Sequence, residues 1–274
     1  GFGVLYNLVN VTTDKVKRTL KSILFRKSGS IFETTAPGKI RLQTKIVLLM
    51  TLALLVLGTG MTFVFESLPP GGAGQSTSAI SQAPWQERLT DSYFLSVTSR
   101  TAGFNTTPTR DLAPSTKFFT IVMMVIGASP GSTGGGIKTV TLAIILCSIW
   151  SLARGYHQPQ AFKRTIHHIL VLRAMTVMAL AVAVIIMVTM AISAWGMKGS
   201  AQYDFLDVLF ETTSAFGTVG LTTGHTGSLN GLGRLLVIMT MIIGRLGPLT
   251  IFVALPTKES ARNFDYPLES VAIG

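Results

Sequence analysis

The chain has 274 residues, 48% of them hydrophobic and only 13% charged, with a formal net charge of +11. A soluble domain carries about 25% charged residues, so this composition argues against a water-soluble fold. The basic excess is confined to stretches that flank apolar runs, which excludes a basic nucleic-acid-binding face and leaves an all-α integral membrane protein.

In chain order, residues 1–13 are apolar and glycine-containing and read as the end of a preceding span. They show no basic region before an apolar core, so they do not read as a signal peptide, and the chain is expected to begin inside a larger protein. Residues 14–45 form a basic cytoplasmic linker, in which nine basic residues from Lys15 to Lys45 face one acid, Glu33. Ile46–Phe65 is an uncharged run of 20 residues between Lys45 and Glu66. It is long enough to cross a hydrocarbon core of about 30 Å. Its Gly58-Thr59-Gly60 either permits close helix packing or is simply tolerated by lipid. Residues 66–90 are rich in Pro, Gly, Ser and Gln and read as an external loop.

Residues 91–100 predict a short helix with Asp91 at its start, favourable at the positive helix N-terminus. Thr101-Ala102-Gly103-Phe104-Asn105-Thr106 follows, and Pro108 and Pro114 bracket an external turn. Phe118–Ala128 and Thr139–Ala153 read as halves of one span, broken at Ser129-Pro130-Gly131-Ser132-Thr133-Gly134-Gly135-Gly136-Ile137-Lys138. The single cysteine, Cys147, lies in the second half and reads as a small buried hydrophobe. Residues 154–173 are a basic cytoplasmic connection, where His157, His167 and His168 lack metal-ligand companions and read as solvated or lipid-headgroup residues. Ala174–Met197 spans back out. Residues 204–214 predict a second short helix, followed by Thr218-Val219-Gly220-Leu221-Thr222-Thr223 and an external loop to Arg234. Leu235–Thr257 is the last span, with Arg245 near its centre, and residues 258–274 form a mixed-charge tail.

Span, short helix, glycine phrase and span therefore occur twice, in units 46–153 and 174–257. The two phrases, T-A-G-F-N-T and T-V-G-L-T-T, lie 117 positions apart. Ile126-Gly127 and Ile243-Gly244 repeat the same offset. A cation that sheds water needs replacement oxygens, which backbone carbonyls supply when several strands surround an axis. Glycine permits backbone angles that turn successive carbonyls to one side. Irregular backbone at membrane depth is tolerated only where it lines a water-filled path or is buried in protein. A single T-x-G phrase is weak evidence of a filter. Two copies in one repeated context are strong, and a pair of ordinary packing loops would not explain the shared position.

Gly131–Gly136 has the spacing of a phosphate loop, but Ile137 intervenes before Lys138 and no soluble strand precedes it. A tightly packed kink is the structural alternative. Arg245 sits among apolar residues, where a charge usually has a partner. It either holds an unwound helix at Gly244, Gly247 and Pro248 or bonds carbonyls of residues 129–136.

These residues resemble the Trk/Ktr/HKT superfamily of potassium transporters, most closely the bacterial Ktr-type membrane subunit. The resemblance implies four fused span–pore-loop–span units with pseudo-fourfold pore architecture. This chain supplies the third and fourth, and Gly1–Tyr6 resembles the cytoplasmic end of the second. It implies potassium uptake through carbonyls of Thr101, Ala102, Gly103 and Phe104 and of Thr218, Val219, Gly220 and Leu221, with no other metal and no enzyme chemistry. It implies an intramembrane gating loop at Gly131, Ser132, Thr133, Gly134, Gly135, Gly136 and Lys138, steadied by Arg245. It further implies the missing N-terminal half of the pore, a homodimer in the lipid of the cell membrane, a cytoplasmic nucleotide-binding regulatory ring, and sodium as an activator, with no cofactor in this chain. A sodium-conducting or Trk-type relative, a membrane-embedded enzyme and a non-transporting scaffold are the competing readings.

Overall fold

The computed structural model describes residues 42–68, 78–156, 158–162, 164–197 and 204–247. The expected preceding span at 1–13, most of the basic linker at 14–45 and the tail at 258–274 lie outside these residues. Helix α1 is Leu42–Ser67, 26 residues. At 1.5 Å per residue this is roughly 39 Å, longer than a hydrocarbon core. A short turn of helix, α2 (Ala79–Gln82), precedes α3, which is Trp85–Thr98. The chain then passes the first glycine phrase and a 3-10 turn at Thr109–Asp111 into α4, Pro114–Val125, with Pro114 in its first turn. Proline suits that position because its missing N–H would be unpaired there anyway. Helix α5 is Thr139–Ala153.

The connection at 154–173 is less plain than expected. It holds a two-residue hairpin, β1 (Gln160–Ala161) paired antiparallel with β2 (Arg164–Thr165). The next helix already begins inside it: α6 is His168–Trp195, 28 residues, with His167 as its N-cap. His167 and His168 are exposed, and His157 lies outside the described residues. Helix α7 is Phe205–Gly217, started by Asp204, whose carboxylate accepts from the Leu206 N–H at 3.2 Å. The second phrase, a 3-10 turn at His225–Ser228 and α8 (Gly231–Leu246) follow.

Three expected boundaries shift. Helix α3 starts six residues before Asp91, which therefore lies within the helix, and Glu87 is the first-turn acid. Helix α8 starts before Arg234 because Asn230 caps it, its Oδ1 accepting from the Gly233 N–H at 2.8 Å. It ends at Leu246, with Gly247 at a φ of 85°. Arg245 is in the last turn of this helix, and the remainder of the expected 235–257 span lies outside the described residues.

Helices α1 and α6 are long and apolar enough to cross a membrane, with best-window mean hydropathies of 2.3 and 2.6. Much of their surface is exposed, including Leu52, Val56, Met187 and Met190. The buried contacts lie elsewhere. Helix α1 packs on α3, α4 and α5, and α7 is enclosed by α4, α6 and α8. Ile80, Leu95, Leu112, Ile121, Met124, Phe210, Val219 and Leu221 form one buried cluster that joins the two halves. Gly58 is buried in the α1–α3 contact, where an added Cβ would strike Ser96 and come within 3.0 Å of Met123, whereas Gly60 faces open space. The close-packing reading therefore applies to Gly58 alone. Glu66, expected in an external loop, is buried at the end of α1. It accepts from the Ser78 hydroxyl and, at 3.2 Å, from the Ala113 N–H.

Candidate functional site

The two glycine phrases follow the C-terminal ends of α3 and α7 and share a backbone pattern. In the first, Thr101 has a φ of 70° and Gly103 of 77°. In the second, Thr218 has 52° and Gly220 of 96°. A left-handed threonine is uncommon, since a branched Cβ disfavours that region. Its occurrence at the same place in both copies is a structural identity, not a coincidence of spelling. The local bonds differ in detail. Ala102 and Gly103 N–H groups donate to the Thr98 carbonyl at 3.2 and 3.3 Å. In the second copy Thr218 N–H donates to the Ala215 carbonyl at 3.1 Å and Val219 N–H to the Ser214 carbonyl at 2.9 Å.

The phrases also meet. A Cβ added at Gly103 would strike the Val219 carbonyl oxygen and lie 3.4 Å from the Gly220 Cα. A Cβ at Gly220 would meet Gly103 at an ordinary 3.6 Å. Segments expected to share an axis are therefore adjacent. Their side chains are not equivalent. Val219 and Leu221 are buried in the joint cluster, while Ala102, Phe104 and the Gly220 backbone are exposed, Phe104 to 71%. Of the expected carbonyl ligands, that of Phe104 already accepts from the Thr98 hydroxyl at 2.7 Å, which turns it toward α3.

The glycine-rich break between α4 and α5 is a loop tied at its neck. Ile137 N–H donates to the Val125 carbonyl at 3.0 Å and Gly127 N–H to the Ile137 carbonyl at 2.9 Å, a parallel bridge between Ile126 and Ile137. Gly131 and Gly136 have φ of 84° and 73°. The loop lies against both phrase threonines. Gly135 N–H donates to the Thr218 hydroxyl at 2.9 Å. A Cβ at Gly134 would come within 2.7 Å of the Thr101 hydroxyl. Gly136 N–H donates to the Gly244 carbonyl of α8 at 3.3 Å. Lys138 reaches back to the loop it follows, its Nζ donating to the Gly134 carbonyl at 2.7 Å and that of Ser132 at 3.4 Å. Ser132 caps the turn internally, its hydroxyl accepting from the Gly134 N–H at 3.3 Å. Thr133 is exposed.

Arg245 does not join this network. Among the described residues its guanidinium makes no hydrogen bond to residues 129–136, and its side chain is exposed. The contact between α8 and the loop runs through the Gly244 backbone. The Ile-Gly pair recognised at 126–127 and 243–244 gains a reason here, since Gly127 and Gly244 both sit where a Cβ would strike neighbouring backbone, that of Gly135 and of Phe216 respectively.

Two polar clusters on α7 escaped sequence reasoning. Asp207, buried on α7, takes the Lys117 ammonium of α4 at 3.0 Å and the His225 Nε2 at 3.2 Å. Glu211, one turn on, gathers donors from Thr222, Thr223 and Thr226. The available signal was their four-residue spacing on the short helix expected at 204–214.

Comparison with known proteins gives a consistent result. A family model described as TrkH, cation transport protein, matches residues 1–266. The chain is 37% identical over 233 residues to Ktr system potassium uptake protein B of Bacillus subtilis, covering 85% of this chain and 49% of the relative. It is 35% identical over 241 residues to potassium/sodium uptake protein NtpJ of Enterococcus hirae, covering 86% and 51%. The chain thus spans about half the length of the curated relatives it matches. The crystal structure of the potassium transporter TrkH from Vibrio parahaemolyticus matches with a TM-score of 0.59 at 18% identity, over 78% of this chain and 44% of that one, which is a likeness of fold.

Proposed function

Because the chain belongs to the TrkH family of cation transport proteins, a family of membrane proteins, we propose that it forms part of a pore that takes potassium into the cell. The observation that carries this reading is the pair of adjacent T-x-G phrases with matching left-handed threonine and glycine. Carbonyls of Thr101–Gly103 and Thr218–Leu221 replace part of the ion's hydration shell, and no covalent chemistry is required. The C-terminal ends of α3 and α7, partially negative, lie next to these carbonyls and favour a cation there. Two phrases supply half of a fourfold ring, so the other half comes from sequence outside this chain. Uptake by a homodimer docked on a cytoplasmic nucleotide-binding ring, with sodium as activator, completes the proposal.

The loop 131–136, with Lys138, is the proposed gate. Its hold on the Thr218 hydroxyl and its approach to Thr101 put it directly against the proposed ion path, and small residues without bulky side chains let it move. Arg245 acts here by charge, as a cationic barrier, rather than as a bonded brace. A sodium-conducting pore is the second reading, favoured by the likeness to the potassium/sodium uptake protein of Enterococcus hirae.

Potassium-uptake complementation by the full-length protein tests the filter reading. Gly103→Asp and Gly220→Asp are each expected to abolish uptake at normal membrane abundance. Growth at limiting potassium with both substitutions would instead support a scaffold. Tracer competition between potassium and sodium separates the two transport readings. For the gate, Arg245→Ala and deletion of 131–135 are expected to change flux without loss of assembly. Unchanged flux in both removes the gating role.

A further inference from the structure

Glu211 lies on the second turn of α7 and turns its carboxylate to the segment that follows the second glycine phrase. Its Oε1 accepts from the Thr222 hydroxyl, from the Thr223 N–H at 3.0 Å and from the Thr223 hydroxyl at 3.4 Å. Its Oε2 accepts from the Thr226 hydroxyl at 2.8 Å. One ionised group thus gathers donors from three residues of a single loop. Bonds to a charged acceptor are roughly twice as strong as neutral ones. The Thr222 hydroxyl also accepts from the Gly224 N–H at 2.9 Å, where Gly224 has a φ of 92°. The Thr222 carbonyl is held in turn by the Thr109 hydroxyl, from the 3-10 turn beyond the first phrase.

Among the described residues the first phrase has no such anchor. The position 117 residues before Glu211 is Phe94, which has no acceptor to offer. An acid one turn earlier on α3, Asp91, meets Thr106 only at a long 3.5 Å, and the first phrase is held instead by the Thr98 hydroxyl on the Phe104 carbonyl. Two backbones with the same dihedral pattern are therefore fixed by unlike chemistry.

We infer that Glu211 is a positioning residue for cation selection, its carboxylate fixing the outer end of the Thr218–Leu221 strand and, through Thr222 and Thr109, the approach of the two phrases. This rests on the filter reading given above. A carbonyl ring discriminates between cations by the number and placement of its oxygens. Loosening one strand therefore alters the choice between ions before it alters the ability to conduct.

The test uses the full-length protein with Glu211→Gln, in which one carboxylate oxygen becomes a donor facing other donors. The expected result is a fall of at least threefold in the potassium-to-sodium flux ratio, the same at low and high ionic strength. Thr226→Val, which removes one donor and leaves the charge, is expected to move the ratio in the same direction by less. If Glu211→Gln does not reach the membrane, the Thr226→Val ratio decides. Glu87→Gln, a first-turn acid on α3 outside the phrases, is the unchanged control. A wild-type ratio in Glu211→Gln, or in Thr226→Val where only it is expressed, overturns the inference. So does an effect confined to KM that vanishes at high ionic strength, since that marks simple electrostatic attraction of cations. Should Gly103→Asp and Gly220→Asp be tolerated, the filter reading itself fails. Should they abolish uptake while the Glu211→Gln ratio stays normal, only the positioning role fails.

Discussion

Lys117 and His225 converge on Asp207 from different elements, and both Lys117 and Asp207 are nearly covered, at 11% and 12% side-chain exposure. Removing one partner of a buried pair leaves the other charge uncompensated and costs about 3 kcal/mol or more. Asp207→Ala is therefore expected to lower the melting temperature of the detergent-solubilised protein by several degrees, and Lys117→Met by less, because Asp207 then keeps its contact with His225. The two phrase glycines differ at the same scale. Both have positive φ, which disfavours any side chain, but only Gly103 lies where a Cβ would strike a carbonyl. Gly103→Ala is expected to reduce uptake more than Gly220→Ala in parallel transport assays.

At the scale of the helix, α1 shows how one glycine carries packing while its neighbour two residues on does not. Gly58→Val forces α1 away from Ser96 and Met123, an overpacking cost of about 1–3 kcal/mol. Gly60→Ala meets nothing within 4 Å and adds helix propensity, so it is expected to be neutral or stabilising by up to about 1 kcal/mol. Thermal unfolding of the two variants distinguishes them. The sequence spelled this pair as Gly-Thr-Gly without saying which glycine faced inward, because a wholly apolar helix shows no polar stripe to orient it. The broken span was legible, since glycines, proline and hydroxyl residues interrupt an apolar run, and α5 begins at the expected Thr139. The bounds of α3 were not, because Trp85–Thr90 is polar enough to read as loop and is drawn into the helix after Pro84. The acid clamps were not legible either, for they depend on which face of α7 meets the threonines.

The whole molecule is lopsided about its repeat. Leu89, Tyr93 and Val97 form an exposed stripe along α3. The positions 117 later are Leu206, Phe210 and Ser214, of which Phe210 and Ser214 are buried, Phe210 beside Ile121 and Met124 of α4. If the arrangement of α4 on α7 is repeated upstream, an inner helix outside this chain covers the α3 stripe. A fluorophore at Tyr93→Cys in the full-length protein is then expected to escape quenching by brominated lipid, while one at Met187→Cys on α6 is quenched. Equal quenching at both sites would make the stripe a lipid-facing surface.

The tied neck between Ile126 and Ile137 makes loop length an independent dial. The ends are already held together by the Val125–Ile137 and Ile137–Gly127 backbone bonds, so residues added at the tip do not disturb the register of α4 and α5. Chain closure grows only as the logarithm of length, about 0.6 kcal/mol per doubling. Two or three extra glycines would therefore lengthen the reach of the tip at almost no cost in folding. The molecule contains a built-in appendage whose size can drift in evolution, or be set by an engineer, without renegotiating the helices that carry it.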